Sequence, residues 1–281
     1  MIQFIPHKPK MKKNPCEQNK TESFSFIVSM GVVTTALCLI FFTVQKVFAS
    51  DDASVKTKIV NDYKNFYSKD RLARMAVGFL SMSAVANSKV DQNIQDWYQG
   101  EIRNSRTDNY AETAKFFGEG KYLIPVSILA GGTYYLNSDS IIGNWGLNAA
   151  RAYTVGLLPM LAMQYTTGAS RPKESRGSKW RPFNDSNGVS GHAFVGAVPF
   201  LTLARMNNNQ LIKYIAYFTS GLTAWSRVND HAHYTSQAIL GWYMAYESVD
   251  SVFETNNKLN QIFFMPVIGK DFYGINVSVR W

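Results

Sequence analysis

The chain contains five apolar segments, each about 13 to 20 residues long, separated by short polar or glycine-rich breaks. They are residues 122–136, 147–166, 192–205, 211–226 and 235–249. Such lengths are typical of buried helices in a bundle, whereas each bilayer-spanning helix needs about 20 mostly apolar residues. Between residues 55 and 88, apolar side chains also recur every three or four positions, which predicts amphipathic helix. We therefore expect an all-α helical bundle over residues 50–260.

The composition supports a folded, non-repetitive domain. Hydrophobic residues make up 46% of the chain and charged residues 17%, against about 25% charged residues in average soluble proteins. This apolar content excludes intrinsic disorder. A long uncharged stretch at residues 152–170 contains Gln164, three threonines and a serine, so it does not have the composition of a membrane span. The pattern therefore argues against a protein with many membrane passes.

Residues 1–49 have the pattern of an export leader. They begin with a lysine-rich polar stretch, continue through an uncharged segment at residues 24–45, and reach Val47-Phe48-Ala49 before a polar region. A basic start, an apolar centre and a small-residue cleavage site define a secretory signal peptide, with cleavage expected before Ser50. The apolar run is also long enough for an uncleaved anchor helix. Either alternative predicts export to the periplasm or cell envelope.

Cysteine usage and net charge narrow the function classes further. Both cysteines, Cys16 and Cys38, lie in the leader, so the exported part would contain no disulfide, thiol nucleophile or cysteine-based zinc site. The net charge is +9, and removal of the leader leaves +5. This modest excess suits a substrate or surface that carries phosphate, but it is too small and scattered to indicate nucleic-acid binding.

The C-terminal end changes to a strand-like period. Ile275, Val277 and Val279 alternate with polar residues, which predicts a β-strand. Residues 261–268 can pair with it across a Gly-Lys-Asp turn. We expect a short β-hairpin over residues 261–281 that lies as a flap on the bundle.

Three polar segments concentrate residues that are unusual in an apolar helical protein. They are QYTTGASRP at residues 164–172, SGH at 190–192 and SRVNDHAHYTSQ at 226–237. Three of the four histidines of the chain fall in the second and third segments. Each segment is a weak signal alone, so only their combination carries an argument.

The anion-binding groups of these segments suit a tetrahedral oxyanion such as phosphate. Arg171 and Arg227 provide planar guanidinium donors. Ser190 and the backbone N–H of Gly191 would form an anion-binding helix N-terminus if the helix at residues 192–205 begins there.

The histidines provide the remaining chemistry. His192 and His233 supply a nucleophile and a general acid with ordinary pKa values of about 6.5. A zinc site is not expected, because His231 and His233 are two positions apart and no other His-rich cluster accompanies them. The set predicts phosphoryl transfer through histidine, without a metal or other cofactor.

The ordered motifs resemble the type 2 phosphatidic acid phosphatase superfamily, which includes bacterial acid phosphatases and vanadium haloperoxidases. Its pattern is Lys, six residues, Arg-Pro; then Pro-Ser-Gly-His; then Ser-Arg, five residues, His, three residues, Asp. The chain carries Arg171-Pro172, Ser190-Gly191-His192, and Ser226-Arg227 with His233 at the family spacing. The resemblance covers roughly residues 89–249, and it implies a helical bundle of the acid phosphatase/vanadium haloperoxidase type.

This resemblance also implies roles for the matching residues. His233 would attack phosphorus and become the phosphohistidine, while His192 would protonate the leaving alkoxide and then help to activate water. Gln237 would orient His233. The phosphate oxygens would be held by the groups at the remaining motif positions, which are Gln164, Arg171, Ser190, Gly191 and Arg227.

Three positions depart from the family pattern: Gln164 replaces Lys, Val189 replaces Pro and Gln237 replaces Asp. Gln164 can donate a hydrogen bond but lacks the positive charge, which a nearby cation could supply instead. The candidates for that replacement are Lys173, Arg176, Lys179 and Arg181. Gln237 can hold the imidazole of His233 but cannot balance its positive charge, and Asp230 is a second group that could reach the ring.

We therefore expect a phosphatase that hydrolyses phosphomonoesters or pyrophosphate ends, with lipids as the preferred substrates. A basic surface rich in aromatic residues would suit peripheral contact with a membrane. The alternatives are a periplasmic acid phosphatase for soluble monoesters, a vanadate haloperoxidase, and a degenerate phosphate-binding envelope protein without activity.

Overall fold

The computed structural model describes residues 53–174, 176–260, 262–269 and 272–279. These ranges contain the helices α1 (Ala53–Phe66), α2 (Lys69–Ala86), α3 (Val90–Trp97), α4 (Ser105–Phe116), α5 (Gly120–Gly132), α6 (Ile141–Thr167), α7 (Gly191–Met206), α8 (Gln210–Asn229) and α9 (Thr235–Asn260). The predicted all-α bundle is confirmed. The expected leader, its cleavage site after Ala49 and its anchor at residues 24–45 lie outside the described residues.

Helices α7 and α9 form the centre of the bundle. Helix α9 packs against α1, α2, α6, α7 and α8, while α7 also contacts α5, α6 and α8. Residues 193–199 of α7 are all buried, as expected for a helix that is apolar around its whole circumference. The core includes Phe194, Leu201, Leu240 and Met244. The buried side chains of the apolar segments therefore pack against one another, while part of the outer helices stays exposed.

Some helices extend beyond the apolar segments, because contacts between polar side chains stabilise the additional turns. Helix α9 extends from Thr235 to Asn260, well beyond the apolar segment that ends at residue 249. Its second half supplies carboxylates to Arg71 of α2, whose guanidinium is buried and contacts Glu247 and Glu254. An apolar pattern cannot predict this extension, because the stabilising contacts are between charged side chains.

The helical pattern of residues 55–88 also divides into two helices. Ser68 is extended, with φ −65° and ψ 149°, and forms the N-cap of α2. Both halves nevertheless pack on α9. A buried ion pair fixes α1, because Arg151 of α6 donates two hydrogen bonds of 2.8 and 2.7 Å to Asp62. Such a pair is costly to desolvate unless its geometry is good, as it is here.

The C-terminal strands form the expected hairpin. Strands β1 (Ile262–Gly269) and β2 (Phe272–Val279) pair antiparallel, with a register that runs from Ile262 opposite Val279 to Gly269 opposite Phe272. Among the helices of the described ranges, none combines the length and apolar character required to cross a bilayer.

Candidate active site

Gln237 joins the three polar segments that are far apart in the sequence. Its Nε2 donates to the carbonyl oxygen of Ser170 at 2.7 Å, and its Oε1 lies 3.0 Å from Nδ1 of His233. Its backbone carbonyl accepts from the N–H of Ser190 at 2.9 Å. Since Gln237 lies in the first turns of α9, this one residue positions Arg171, the start of α7 and His233 around a common point.

The approach of α9 to the start of α7 depends on a missing side chain. A Cβ on Gly241 would collide with the carbonyl oxygen of Ser190. Glycine at this position therefore allows the backbone of α9 to lie against the turn that precedes α7. The buried location of Ser190 and Gln237, both fully inaccessible, follows from this contact.

The hydrogen bonds of Gln237 determine which nitrogen of His233 carries the proton. Oε1 of Gln237 also accepts from the N–H of Tyr234 at 3.2 Å, and its Nε2 needs the carbonyl of Ser170 as an acceptor. The amide can therefore have only this orientation, which presents an acceptor to Nδ1 of His233. Nδ1 donates, and the lone pair is left on Nε2.

His233 is a neutral imidazole at the bottom of the site. Its side chain is buried, with an exposed fraction of 4%. Burial, together with the positive charges of Arg227 and Arg171, lowers the pKa of His233 to about 3, although the bond to Gln237 acts in the opposite direction. The ring thus retains an unprotonated nitrogen over the whole physiological pH range.

Helix α7 begins at the position where the sequence predicted an anion-binding N-terminus. Ser190 is the N-cap, and its Oγ accepts from the N–H of Ala193 at 3.3 Å. Gly191 is the first helical residue and is partly exposed. The free N–H groups of this turn carry the positive end of the helix dipole.

The charges of both predicted guanidinium groups act on His233. Nε of Arg171 donates to Oδ1 of Asn187 at 2.8 Å. Nη1 of Arg227 lies 3.4 Å from the carboxylate of Asp230, and its buried Nε has no hydrogen-bond partner among the described residues. Burial lowers the pKa of Arg227 and the charge of Arg171 adds to that effect, whereas Asp230 and Glu119 raise it. The unpartnered Nε leaves Arg227 with a donor that an anion could use.

His192 lies at the boundary between the buried site and solvent. Its side chain is 41% exposed, and its Nε2 is 3.7 Å from a carboxylate oxygen of Glu119. Burial lowers the pKa of His192, as do the charges of Arg227 and Arg171, while Glu119 raises it. The protonated form of His192 therefore depends on the neighbouring carboxylate.

A cavity of about 400 Å³ lies beside His192 and Arg227. These two are the predicted site residues that line it, and the lining also includes Ala232, which precedes the buried His233 in the chain. The remaining lining residues are Arg103, Lys115, Glu119, Lys173 and Asp230. Within the described part of the chain, no group of three His, Cys, Asp or Glu side chains could hold a metal ion.

Comparison with known proteins finds a family match over part of the chain. A model of the PAP2 superfamily matches residues 145–258, a range that contains all three polar segments. This part of the chain is similar to the PAP2 superfamily. The match begins later than the resemblance drawn from the sequence motifs, which also included residues 89–144.

A solved structure shares the PAP2 fold. It is described as the first transmembrane PAP2 type phosphatidylglycerolphosphate phosphatase from Bacillus subtilis, and it is 16% identical to this chain. The alignment covers 66% of this chain and 96% of that one, with a TM-score of 0.54. Comparison with curated protein sequences finds no significant match.

Gln164, at the position of the PAP2 lysine, does not direct its amide into the cavity. Its Nε2 donates to the carbonyl oxygen of Val189 at 2.8 Å and lies beside Gly191. Gln164 therefore supports the turn before α7. Because this bond uses one N–H of its amide, Gln164 contributes neither the charge nor the full donor capacity of a lysine.

Of the four cations that could replace the PAP2 lysine, Lys173 lines the cavity. Arg176 pairs with Glu174 and Asp185, and Arg181 donates to Ser170 Oγ at 2.7 Å. The other suggested substitute, Asp230 as a partner of His233, has its carboxylate next to Arg227 and Lys115 instead.

The sequence motifs missed Arg103, Lys115 and Glu119 as cavity residues. Arg103 belongs to the segment at residues 94–108, but no spacing rule distinguished it from the adjacent polar residues. Lys115 and Glu119 come from the end of α4 and the start of α5, which reach the site only because α4 packs on α8. His231 is held outside this set, since its Nδ1 lies 3.0 Å from Nε2 of Gln95.

Proposed function

We propose that this PAP2 protein is a metal-independent phosphatase that forms a phosphohistidine on His233. The observation that carries the proposal is the bond from Nδ1 of His233 to Gln237, because it leaves the lone pair of Nε2 available on a buried, neutral ring. The PAP2 match supports a phosphatase, and Arg171, Arg227 and His192 lie close enough to lower the pKa of that ring. An anionic phosphate would offset this concentration of positive charge.

In the first step, Nε2 of His233 forms a bond to phosphorus and the bond between phosphorus and the ester oxygen breaks. Protonated His192 gives its proton to the departing alkoxide, so the alcohol leaves neutral. Arg171, Arg227 and the N–H groups at the start of α7 hold the equatorial oxygens, whose charge increases in the transition state.

In the second step, neutral His192 accepts a proton from water while the water oxygen bonds to phosphorus. The P–N bond breaks, inorganic phosphate leaves, and the electron pair returns to Nε2 of His233. Gln237 stays hydrogen-bonded to Nδ1 throughout, so the ring does not rotate between the steps. With Nδ1 protonated, the phosphorylated ring carries a formal positive charge that the negative phosphoryl oxygens offset, so a neutral partner is sufficient for orientation.

An exposed aromatic corner beside the cavity supports a lipid substrate. It consists of Phe116, Phe117 and Tyr122, and the ring of Phe116 stacks on that of Tyr122 with centroids 5.5 Å apart. Lys115 and Glu119, which line the cavity, lie on the same corner. Aromatic rings next to cations are typical of surfaces that contact the membrane interface.

We extend the proposal to peripheral membrane contact through this aromatic corner and to a location in the periplasm or cell envelope. The outer face of α8 adds exposed apolar side chains at helical spacing, namely Leu211, Tyr214, Ile215 and Phe218. The similar structure from Bacillus subtilis is described as a transmembrane phosphatidylglycerolphosphate phosphatase, which agrees with a lipid phosphate as substrate. Export would depend on the leader at residues 1–49, by cleavage or by an anchor at 24–45.

The nucleophile is tested by replacing His233 with alanine. We expect phosphate release from a chromogenic monoester, in the presence of a chelator, to fall by about 1,000-fold or more. His231→Asn is the matched control, because His231 has φ 55°, a conformation that asparagine tolerates, and it should keep activity within about threefold. With labelled substrate, an alkali-stable, acid-labile phosphoenzyme should form in the wild type and not in His233→Ala.

The same assay distinguishes a phosphatase from a phosphate-binding protein without activity. Gln164, by donating to Val189 rather than into the cavity, leaves the phosphate site with one charge fewer than the PAP2 pattern. If the wild type releases no phosphate from soluble or lipid esters but still binds inorganic phosphate, the phosphatase proposal is wrong and a binding protein remains.

The lipid preference has its own test. Phe116→Ser combined with Tyr122→Ser should reduce turnover of detergent-dispersed phosphatidate by about tenfold and leave the soluble monoester nearly unchanged, since only the lipid uses the corner. Val77→Ser, which changes an exposed apolar residue of α2, is the control. Equal wild-type rates on phosphatidate and the soluble ester would contradict the lipid proposal.

A further inference from the structure

We propose that the outer end of the cavity is a second anion subsite, formed by Arg103, Lys115 and Lys173, which binds a second phosphoryl group of the substrate. The inference rests on the proposed function and refines it: a diphosphate end would be preferred over a single phosphate. None of these three residues is a position of the PAP2 motifs, so the preference would be a property of this chain.

The cations around the cavity form two groups. Arg171 and Arg227 are close to His192 and His233 and lower the pKa of both rings. The charges of Lys173 and Arg103 act instead on His231. The positive charge therefore extends past the two proposed reacting imidazoles.

The dimensions of the cavity are larger than one phosphate needs. A water molecule occupies about 30 Å³ in the liquid, so a phosphate of five heavy atoms needs the space of only a few waters. The cavity measures about 400 Å³. It has room for a phosphate at His192 and Arg227 and for a second one toward Lys173 and Arg103.

The charges of the outer group are incompletely neutralised. Lys173 forms no ion pair with any described residue, and Lys115 is 3.8 Å from its nearest carboxylate, that of Asp230. Asp230 is shared with Arg227, so one carboxylate serves two cations. Arg103 binds Asp108 at 2.8 Å through Nε and donates from Nη1 to the neutral Oε1 of Gln99 at 3.0 Å, which leaves its Nη2 available. A second phosphoryl group would balance this excess.

The experiment measures binding rather than turnover, with two probes that cannot be hydrolysed. Methylphosphonate carries one phosphoryl group, and methylenediphosphonate carries two joined by carbon. Calorimetry on the full chain should show that the wild type binds the diphosphonate at least tenfold more tightly. Lys173→Gln should weaken diphosphonate binding by about five- to tenfold and methylphosphonate binding by less than twofold.

Matched controls distinguish binding at specific cavity residues from the non-specific attraction of an anion by a positively charged protein. Lys179→Gln and Arg106→Gln remove the same charges from positions near Lys173 and Arg103 that do not line the cavity. They should leave the diphosphonate affinity within about twofold. Arg103→Gln is the second cavity variant, so that a folding defect in one variant does not decide the result.

The possible results distinguish this inference from the proposed function. Equal wild-type affinity for the two probes, or equal losses in Lys173→Gln and Lys179→Gln, would overturn the second subsite. Hydrolysis of monoesters without a diphosphonate preference would retain the phosphatase and remove the subsite. A preference that disappears in Lys173→Gln, in a protein that releases no phosphate, would retain the subsite and remove the phosphatase.

Discussion

The floor and the rim of the site are built by different interactions. The floor comprises Ser190, His233 and Gln237, which are almost completely buried and fixed by hydrogen bonds of 2.7 to 3.2 Å. At the rim, the side chains of His192 and Lys115 are about 40% exposed, and their nearest charged partners lie at 3.7 and 3.8 Å.

The difference predicts how each region responds to substitution. A buried hydrogen bond costs about 1–3 kcal/mol when one partner is removed, whereas an exposed ion pair contributes about 0–1 kcal/mol. Floor substitutions should therefore change both stability and turnover. Rim substitutions should change pH dependence and ligand preference while the fold persists.

After His233→Ala, the largest effect is expected for Gln237→Asp, which restores the PAP2 residue. Aspartate is shorter and cannot donate to the carbonyl of Ser170, so turnover should fall by about 100-fold or more and the free energy of unfolding by about 1–3 kcal/mol. Turnover of a chromogenic monoester and urea unfolding measure the two effects. Gln237→Glu keeps the length of the side chain and isolates the effect of charge. Higher activity in Gln237→Asp would show that the natural glutamine limits catalysis.

Asp91→Ala should destabilise the floor from outside the motif. The buried carboxylate of Asp91 accepts from the N–H and the hydroxyl of Ser236, at 3.1 and 2.6 Å, at the start of α9. Its removal leaves both donors without a partner and should cost about 1–3 kcal/mol in urea unfolding. Asp96→Ala, which removes an exposed carboxylate bonded to Gln92, should cost less than about 0.5 kcal/mol. Equal losses would mean that burial of Asp91 is not the cause.

The depressed pKa of His233 should make the protein less stable in acid. The folded state holds this ring with a pKa of about 3, against about 6.5 when unfolded, so the unfolded chain binds more protons between these values. The resulting stability is present above about pH 6.5 and is lost as the pH falls toward 3, by at most about 1.4 kcal/mol per pH unit. Urea unfolding at several pH values should show a smaller slope for His233→Gln. An unchanged slope would refute this contribution.

The smallest effect is expected for Glu119→Gln at the rim. Glu119 raises the pKa of His192 against burial and two guanidinium charges, so its neutralisation should lower that pKa further. Since the general acid must be protonated, the basic limb of kcat/KM should move to lower pH, by about one unit or less. Glu112→Gln, on the exposed side of α4, is the control and should leave the basic limb of kcat/KM at the wild-type pH. A limb that moves to higher pH would contradict the assignment of His192.

Much of the fold could be predicted from the sequence, because apolar spacing reports which faces must be buried. The segments at residues 147–166, 192–205 and 211–226 became the helices α6, α7 and α8 with modest changes of boundary. The ends that were missed depend on polar contacts. Helix α9 continues to Asn260 because Arg71 binds its carboxylates, and no pattern along α9 alone contains that partner.

For the site, the motif spacings predicted a set of residues that would lie close together, but they did not predict the hydrogen bonds that position these residues. The charges of Arg171, Arg227 and His192 act on His233, and the roles predicted for these four residues remain proposals. From the sequence, Gln237 was expected to be a weaker partner than the aspartate of the PAP2 motif, because the sequence shows only that the negative charge of aspartate is missing. In the structure it is also a donor to Ser170, which an aspartate could not be.

Chemical identity and order along the chain thus predicted the helical class, the resemblance to PAP2 proteins and a candidate set of phosphate-binding groups, because each follows from short-range periodicity or fixed spacing. The tertiary structure alone decided the tautomer of His233, the placement of Glu119 beside His192, and the cationic outer end of the cavity. These features depend on distances between atoms of different helices, and packing sets such distances only after the chain has folded.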